Sequence, residues 1–339
     1  MKEQIVTVGL DLAKSVFQVH AVGADGRVLV RQQLRRAEVL KFFSSLPPCL
    51  VGMEACASAH HWGRELMALG HEVRLMPPAY VKPYVKRGKT DAADAEAICE
   101  AVTRPTMRFV AVKSPDQQAV LMLHKTRDLL VRQRTGLVNA LRAHLAEYGI
   151  IAAKGTGGVT ALMKVLHDAQ DRLPVYARSA LHTIGAQLRA LASEIDRLEA
   201  QIVGWHKADD ASRRLATIPG IGPITASAIA AAVPDPAMFR SGRQFAAWLG
   251  LTPRPHSSGG KERLGGISKQ GDSYLRRLLV VGATAIMRRA RKDAGQQPWA
   301  AQLAARKPVK IATVALANKT ARIAWAVMAR KEVYAAAAA

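Results

Sequence analysis

Asp91 and Asp94 stand three residues apart in Lys89 to Glu96, a run of Ala, Asp and Glu that favours helix. Both carboxylates would therefore project from one face of one helix. Two like charges so close resist joint ionisation unless a cation sits between them. The pair points to a divalent metal and to further oxygen ligands from elsewhere. Asp11, closing the apolar run Ile5 to Leu10, and Glu54, following Leu50 to Met53, are the candidates, each at a strand end. The plainer reading is a solvated helix start with Thr90 as N-cap, and spacing alone favours it, because acids are common at helix N-termini. His60 and His61, near Glu54, read as solvated helix-start residues, since hard oxygen sites rarely need a histidine.

A second stretch, Gly250 to Arg277, is polar and Gly-rich between two apolar helical patterns, Phe245 to Leu249 and Leu275 to Ile286. Glycines at 259, 260, 265, 266 and 271 allow close backbone approach to a ligand. Arg254, Lys261, Arg263, Lys269, Arg276 and Arg277 surround Ser257 and Ser258 with positive charge, which suits a phosphodiester. A serine there is a candidate nucleophile without an adjacent base, His256 being a weak candidate for one. Read alone, such a loop is more often a flexible linker. Upstream, Pro219-Gly220-Ile221-Gly222 looks like the hairpin of a helix-hairpin-helix element, whose amides around Gly220 and Gly222 would bind a DNA phosphate. A tight Gly turn between packed helices is the alternative.

The elements that must position these groups begin with three strands, Ile5 to Leu10, Val16 to Val22 and Val28 to Leu34, the last two joined by the turn Gly23 to Gly26. A helix near Ala37 to Ser44, the strand ending at Glu54, a helix around His61 to Leu69 and the strand Glu72 to Met76 follow. That last part is a β-α-β unit, which expects parallel pairing. Ser114-Pro115-Asp116-Gln117 is a capping box that opens a long helix to about Tyr148. Its Leu123, Leu130 and Leu137 are spaced by sevens, with Leu141 and Leu145 on the same stripe. After a break at Gly155, Gly157 and Gly158 and a shorter helix, Leu181, Ile184, Leu188, Leu191, Ile195, Leu198 and Ile202 form a heptad seam. An antiparallel hairpin within the chain and a dimeric coiled coil both satisfy that pattern.

At 339 residues the chain holds two or three domains, with 49% apolar residues for their cores. Its 49 Lys and Arg face 26 acids, a net charge of +23 that calls for a polyanion partner, nucleic acid first. From Ala237 to Arg330, 18 Lys and Arg meet only Glu262, Asp272 and Asp293, so +15 lies there. Cys49, Cys56 and Cys99 lack ligand-like spacing and read as buried thiols of a reduced compartment. The N-terminus lacks an apolar targeting core, and the most apolar run, Leu278 to Ile286, is too short to span a bilayer. A cytoplasmic protein without a membrane partner is the expectation.

Three meandering strands, a β-α-β unit and a closing helix resemble the ribonuclease H-like fold. In that fold, acids ending the first and fourth strands and on a late helix meet at one metal site, and Asp11, Glu54, Asp91 and Asp94 occupy those places. This resemblance turns the reading of the acid pair from solvated helix start to metal ligand. With the helical spacer, the Pro-Gly-Ile-Gly element and the Ser-Ser-Gly-Gly…Ile-Ser-Lys-Gln-Gly-Asp…Leu-Arg-Arg run, the chain resembles the DEDD transposases of insertion-sequence family 110. Its His-Ser-Ser-Gly-Gly and Ile-Ser-Lys wording is closest to branch 1111, and the Piv-type DNA invertases share the plan.

The resemblance implies an α/β plus all-α chain: a RuvC-like domain over 1–112, a helical coiled-coil spacer over 113–206 and a mainly helical transposase domain over 207–334. It implies that the four acids hold Mg2+ or Mn2+ and that Ser258 attacks DNA. It also implies DNA element ends and target as substrates, a structured guide RNA from the element, a homodimer or homotetramer, and a place beside the bacterial nucleoid. Three rivals remain. A RuvC or RNase H-like junction resolvase would use metal-activated water and leave Ser258 dispensable. An actin-like sugar kinase also begins with Gly9-Leu10-Asp11 but needs later phosphate loops that the chain lacks. A non-catalytic nucleic-acid-binding protein leaves the four acids unexplained.

Overall fold

The computed structural model describes residues 4–86, 88, 90–151, 158–293, 295 and 298–335, so Lys89, Gly155, Gly157 and 336–339 lie outside the described residues. Two compact units divide the chain: residues 1–116 with 233–238, and residues 117–232 with 239–339.

In the first unit, β1 (Ile5–Asp11), β2 (Val16–Gly23) and β3 (Val28–Arg35) form an antiparallel meander, as the short connections require. Then come α1 (Val39–Ser44), β4 (Leu50–Glu54), α2 (Ala59–Ala68), β5 (Glu72–Met76), α3 (Pro78–Val81) and α4 (Asp91–Val102). The sheet order is β3-β2-β1-β4-β5, with β4 parallel to both β1 and β5. Alternation in β1 sends Val8 and Leu10 into a core with Phe17, Phe43, Met53, Trp62 and Leu66, supplied partly by α1 and α2. Fully burying each such side chain stabilises by about 1.5–3 kcal/mol.

On the same strand, Gly9 faces α4. A Cβ on Gly9 would lie 2.2 Å from the Ala95 carbonyl oxygen, and one on Gly52 would lie 2.7 Å from Val102 Cβ. These two glycines form the crease in which α4 lies, so the helix comes closer to β1 and β4 than any side chain would permit.

The second unit is largely helical: α5 (Pro115–Ala146), α6 (Gly158–Asp168), α7 (Val175–Ala208), α8 (Asp210–Ala216), α9 (Pro223–Ala232) and α10 (Gly242–Trp248), a hairpin of β6 (Pro253–Pro255) and β7 (Leu264–Ile267), then α11 (Ser273–Lys292), α12 (Pro298–Arg306) and α13 (Val309–Arg330). The hairpin is a difference from the linker-like reading of Gly250 to Arg277. Its feet are pinned: a Cβ on Gly271 would meet the Trp248 carbonyl oxygen at 1.9 Å, and one on Gly250 the Gln270 carbonyl oxygen at 2.3 Å. Both glycines have positive φ, so no other residue fits comfortably.

The α7 seam is covered within the chain. Leu181, Leu188, Ile195, Leu198 and Ile202 are buried, and the first two share a cluster with Leu141 and Leu145 of α5 and Leu162 and Leu166 of α6. Arg127 of α5 forms two bonds to Glu199 of α7, Nε at 2.7 Å and Nη2 at 2.5 Å. An early α5 residue thus meets a late α7 residue, so the helices run antiparallel.

Candidate functional site

Parallel pairing puts Leu10 opposite Met53, so Asp11 and Glu54 each follow one residue later at the same edge of adjacent strands. That edge, beyond the carboxyl ends of parallel strands, is where α/β sheets bind their ligands. The direction of α4 follows from its contacts. Ala95 and Cys99 lie over Gly9, and Cys99 Sγ reaches the Thr7 carbonyl oxygen at 3.9 Å, so the helix N-terminus points toward Asp11. Asp91, exposed, and Asp94, half-buried, occupy the first turn there. Thr90 Oγ1 accepts the Ala93 N–H at 3.2 Å, so the N-cap expected of a solvated helix start is present as well.

The four acids are thus brought to one end of the sheet. Among the described residues, however, no three His, Cys, Asp or Glu side chains are gathered as a group able to hold a metal ion. Their chemistry still fits one: hard oxygen donors on rigid elements are what Mg2+ or Mn2+ takes. The negative potential at this edge is felt by a neighbour. Although Cys56 presents exposed surface, its thiol is pushed up by partial desolvation first, then by the Glu54 and Asp11 carboxylates. Cys56 itself is exposed, unlike the buried Cys49 and Cys99, which corrects the reading of all three as buried thiols. It lies just past the end of β4, outside the alternation that buries Val51 and Met53. His60 is half-buried, its Nδ1 accepting the Lys113 N–H at 3.2 Å, and His61 is exposed as expected.

In the second unit, Ser258 and Lys261 bridge the end of the hairpin, where Lys261 N–H donates to the Ser258 carbonyl at 3.1 Å. Gly259 and Gly260 between them have φ of 54° and 75°, the positive pair of a type I′ turn, with open space around both. The two serines differ. Ser257 Oγ accepts the Arg263 N–H at 3.1 Å and ties the hairpin together, whereas the exposed Ser258 hydroxyl has no hydrogen bond among the described residues.

The six basic residues divide in the same way. Arg254 donates through Nε and Nη2 to the Ser268 carbonyl, at 3.2 and 2.7 Å. Arg276 Nη1 donates to the Leu249 and Gln270 carbonyls, at 2.9 and 2.8 Å, and Arg277 pairs with Asp128. Lys261, Arg263 and Lys269 are exposed, and their side chains make no ion pair or hydrogen bond among the described residues. His256 packs on Gly265, whose Cβ would meet its ring at 3.0 Å. The Pro219 to Gly222 turn lies between α8 and α9 as expected. Its Gly220, at φ 85°, abuts α11, since a Cβ on Gly282 would meet the Gly220 carbonyl oxygen at 2.0 Å; Gly222 is open.

Sequence reasoning missed a polar core in this unit. His124, 1% exposed, bonds Tyr274 Oη through Nδ1 at 3.0 Å and Ser227 Oγ through Nε2 at 3.1 Å. Ser227 donates onward to the Pro223 carbonyl at 2.7 Å, which assigns the imidazole proton to Nε2 and leaves Nδ1 to accept from tyrosine. Burial, aided by Arg127, lowers the His124 pKa to about 4. The sequence offers only an isolated His on an apolar helix face as a signal.

Comparison with known proteins finds two family models on this chain. One, described as Transposase IS116/IS110/IS902 family, matches residues 212–300, and one of IS110 DEDD type, described as Transposase, matches residues 8–150. The chain is 40% identical over 331 residues to the transposase for insertion sequence element IS1328 of Yersinia enterocolitica, covering 97% of this chain and 98% of the relative. It is 39% identical over 334 residues to the transposase for insertion sequence element IS1111A of Coxiella burnetii, covering 98% and 92%. A more distant relative is the pilin gene-inverting protein of Moraxella bovis, 24% identical over 241 residues, 67% of this chain and 62% of that one.

Proposed function

Because this chain belongs to the IS110 family of insertion-sequence transposases, we propose that it cuts and rejoins DNA with Ser258 as nucleophile, assisted by the carboxylates Asp11, Glu54, Asp91 and Asp94. The observation that carries this reading is the exposed Ser258 hydroxyl at a type I′ turn beside Lys261, Arg263 and Lys269, none of them with a side-chain hydrogen bond or ion pair among the described residues. Ser258 Oγ attacks phosphorus, an Oγ–P bond forms, and the bond to one strand breaks, freeing that strand as a hydroxyl that takes up a proton. Attack by a strand-end hydroxyl on the phosphoserine then rejoins DNA and restores Ser258, so no outside energy source is needed.

Serine is a weak nucleophile at neutral pH and needs a proton acceptor and charge stabilisation. In this reading the carboxylates supply the first, and Lys261, Arg263 and Lys269 neutralise the phosphate. Arg254, Arg276 and Arg277 keep the hairpin and α11 in shape and lie close enough in sequence to add positive potential. Mg2+ or Mn2+, when bound by the four acids, would supply Lewis-acid stabilisation of developing negative charge.

The rest of the reading follows the family. The strand order 3-2-1-4-5 supports a RuvC-like assignment for 1–112, with 113–206 as helical spacer and 207–334 as transposase domain carrying the Gly220 and Gly222 phosphate-binding turn. Element ends and target DNA, a structured guide RNA and a homodimer or homotetramer complete it, acting beside the nucleoid in the bacterial cytoplasm. No helix among the described residues is long and apolar enough to cross a membrane.

The test is to incubate the protein with element-end DNA, the element's RNA and magnesium, and to map any DNA-linked peptide by mass spectrometry. Attachment at Ser258, lost in Ser258→Ala and kept in Ser257→Ala, is expected. Attachment at Ser257, or full cleavage by Ser258→Ala, would replace this reading with a misassigned serine or a water-using nuclease.

A further inference from the structure

The helical unit carries an open groove of about 760 Å3 bordered by the start of α10, by α12 and by one face of α13. On α13 the lining residues Ala315, Lys319, Arg322 and Ala326 recur at helical spacing, so two neighbouring cations lie between two small side chains. Arg243 adds a third positive charge, and among the described residues no Asp or Glu lines the groove. Trp299 forms one wall, 40% exposed, with the Lys319 ammonium 4.2 Å from its ring centroid. At the other side α10 starts hard against α13, where a Cβ on Gly242 would lie 2.9 Å from the Arg322 carbonyl oxygen.

We propose that this groove binds an unpaired nucleotide of single-stranded nucleic acid, with the base stacked on Trp299 and the phosphate held by Arg243, Lys319 and Arg322. An aromatic platform beside a row of cations is the chemistry that single strands take, because every base has a π-face and every link a negative charge. A duplex stacks its bases on one another and does not offer them. Charge selects the occupant: an apolar or basic peptide would meet three cations with no carboxylate partner among the described residues, in a region that carries +15 of the chain's charge. Lys319 holds the indole in place by its cation–π contact and stands where a neighbouring phosphate would arrive. Transposition exposes unpaired nucleotides during strand exchange, and a structured RNA exposes them in its loops. The inference rests on the nucleic-acid substrate of the family and not on Ser258 or the carboxylates, and its readout is binding rather than cleavage.

The experiment titrates the full-length protein with labelled oligothymidine, oligouridine and a blunt DNA duplex of equal length, by fluorescence anisotropy. Trp299→Ala is expected to weaken single-strand binding by about 5- to 150-fold, the loss of one stacking contact, with duplex affinity within about twofold. Trp299→Phe restores most of it. Arg322→Gln lowers the salt slope for single strands by about one. Should Trp299→Ala fail to fold, Arg243→Gln still has to weaken single-strand binding more than duplex binding, while Trp299→Phe keeps most of it. Loss on oligothymidine identifies a DNA strand, and loss on oligouridine an RNA. Unchanged single-strand binding, equal loss on the duplex, or a change in oligomer mass with nucleic-acid binding intact, which would make the groove a contact for a second copy, overturns the proposal.

Discussion

The sheet unit and the helical unit present their chemical groups by opposite means. In the first, Asp11 and Glu54 are placed by strand register, and Asp91 and Asp94 by a helix held in the Gly9 and Gly52 crease, so position comes from backbone packing. In the second, Ser258 stands at the end of a hairpin whose feet are fixed by Gly250 and Gly271 and by Arg254 and Arg276 on carbonyl oxygens. The helices of this unit are joined by the buried His124 and Ser227 with the half-buried Tyr274. Glycine shows the difference best. At Gly9 it is required by space at an ordinary φ, whereas at Gly259 it is required by φ in open space. A site made of several converging groups needs a rigid frame, while a single hydroxyl needs access.

The largest effect expected from this contrast is on chemistry in the sheet unit. Asp94→Asn or Asp11→Asn should reduce strand cleavage in magnesium to background while leaving nucleic-acid binding and the thermal midpoint nearly unchanged, since a charge is neutralised without loss of volume. Cleavage at near wild-type rate by either variant would remove the acids from the site.

The two glycine types can be set against each other directly. Gly9→Ala should destabilise by about 3 kcal/mol or more, because its methyl overlaps a backbone carbonyl that cannot swing away. Gly259→Ala meets no neighbour and should lose only about 1–2 kcal/mol, locally, from the left-handed φ. Denaturant midpoints measure both, and equal losses would dissolve the distinction.

The helical unit should also be the more acid-sensitive one, although burial lowers the His20 pKa in the sheet unit too. His124 has a folded pKa of about 4, below the ordinary 6.5, so the unfolded chain takes a proton that the folded chain refuses. Stability is therefore full above pH 6.5 and falls as pH drops toward 4. At pH 5 about 2 kcal/mol should be missing relative to pH 7. In His124→Asn that pH dependence should flatten, even if the variant is weaker at pH 7. A wild-type slope surviving in the variant would assign it to other groups.

Much of this was legible in the chain. The three-strand meander and the β-α-β unit fell within a residue or two of their expected bounds because alternation and short Gly turns are local properties. The acids at strand ends were visible for the same reason, as was the long helix opened by Pro115. The hairpin was not, because β6 and β7 are short, exposed and held by contacts outside themselves. The α7 seam shows the limit clearly: heptad spacing states that a stripe must be covered, but not whether by α5 and α6 or by another chain.

What the sequence determined by itself was therefore the elements of the sheet unit and the long helices, the excess charge, the two chemical stretches and the family they resemble. All of these depend on residue type and near-neighbour spacing. Only the tertiary structure decided that the Ser257 hydroxyl ties the hairpin while the Ser258 hydroxyl makes no hydrogen bond among the described residues, and that Arg254, Arg276 and Arg277 have protein partners while Lys261, Arg263 and Lys269 lack them there. It alone brought His124 to Ser227 and Tyr274, 103 and 150 residues away, and laid Ala95 on Gly9. The physical reason is that a hydrogen bond or a close approach of two backbones is a property of distance in space. Spacing along the chain fixes that distance only within a turn or two of one element.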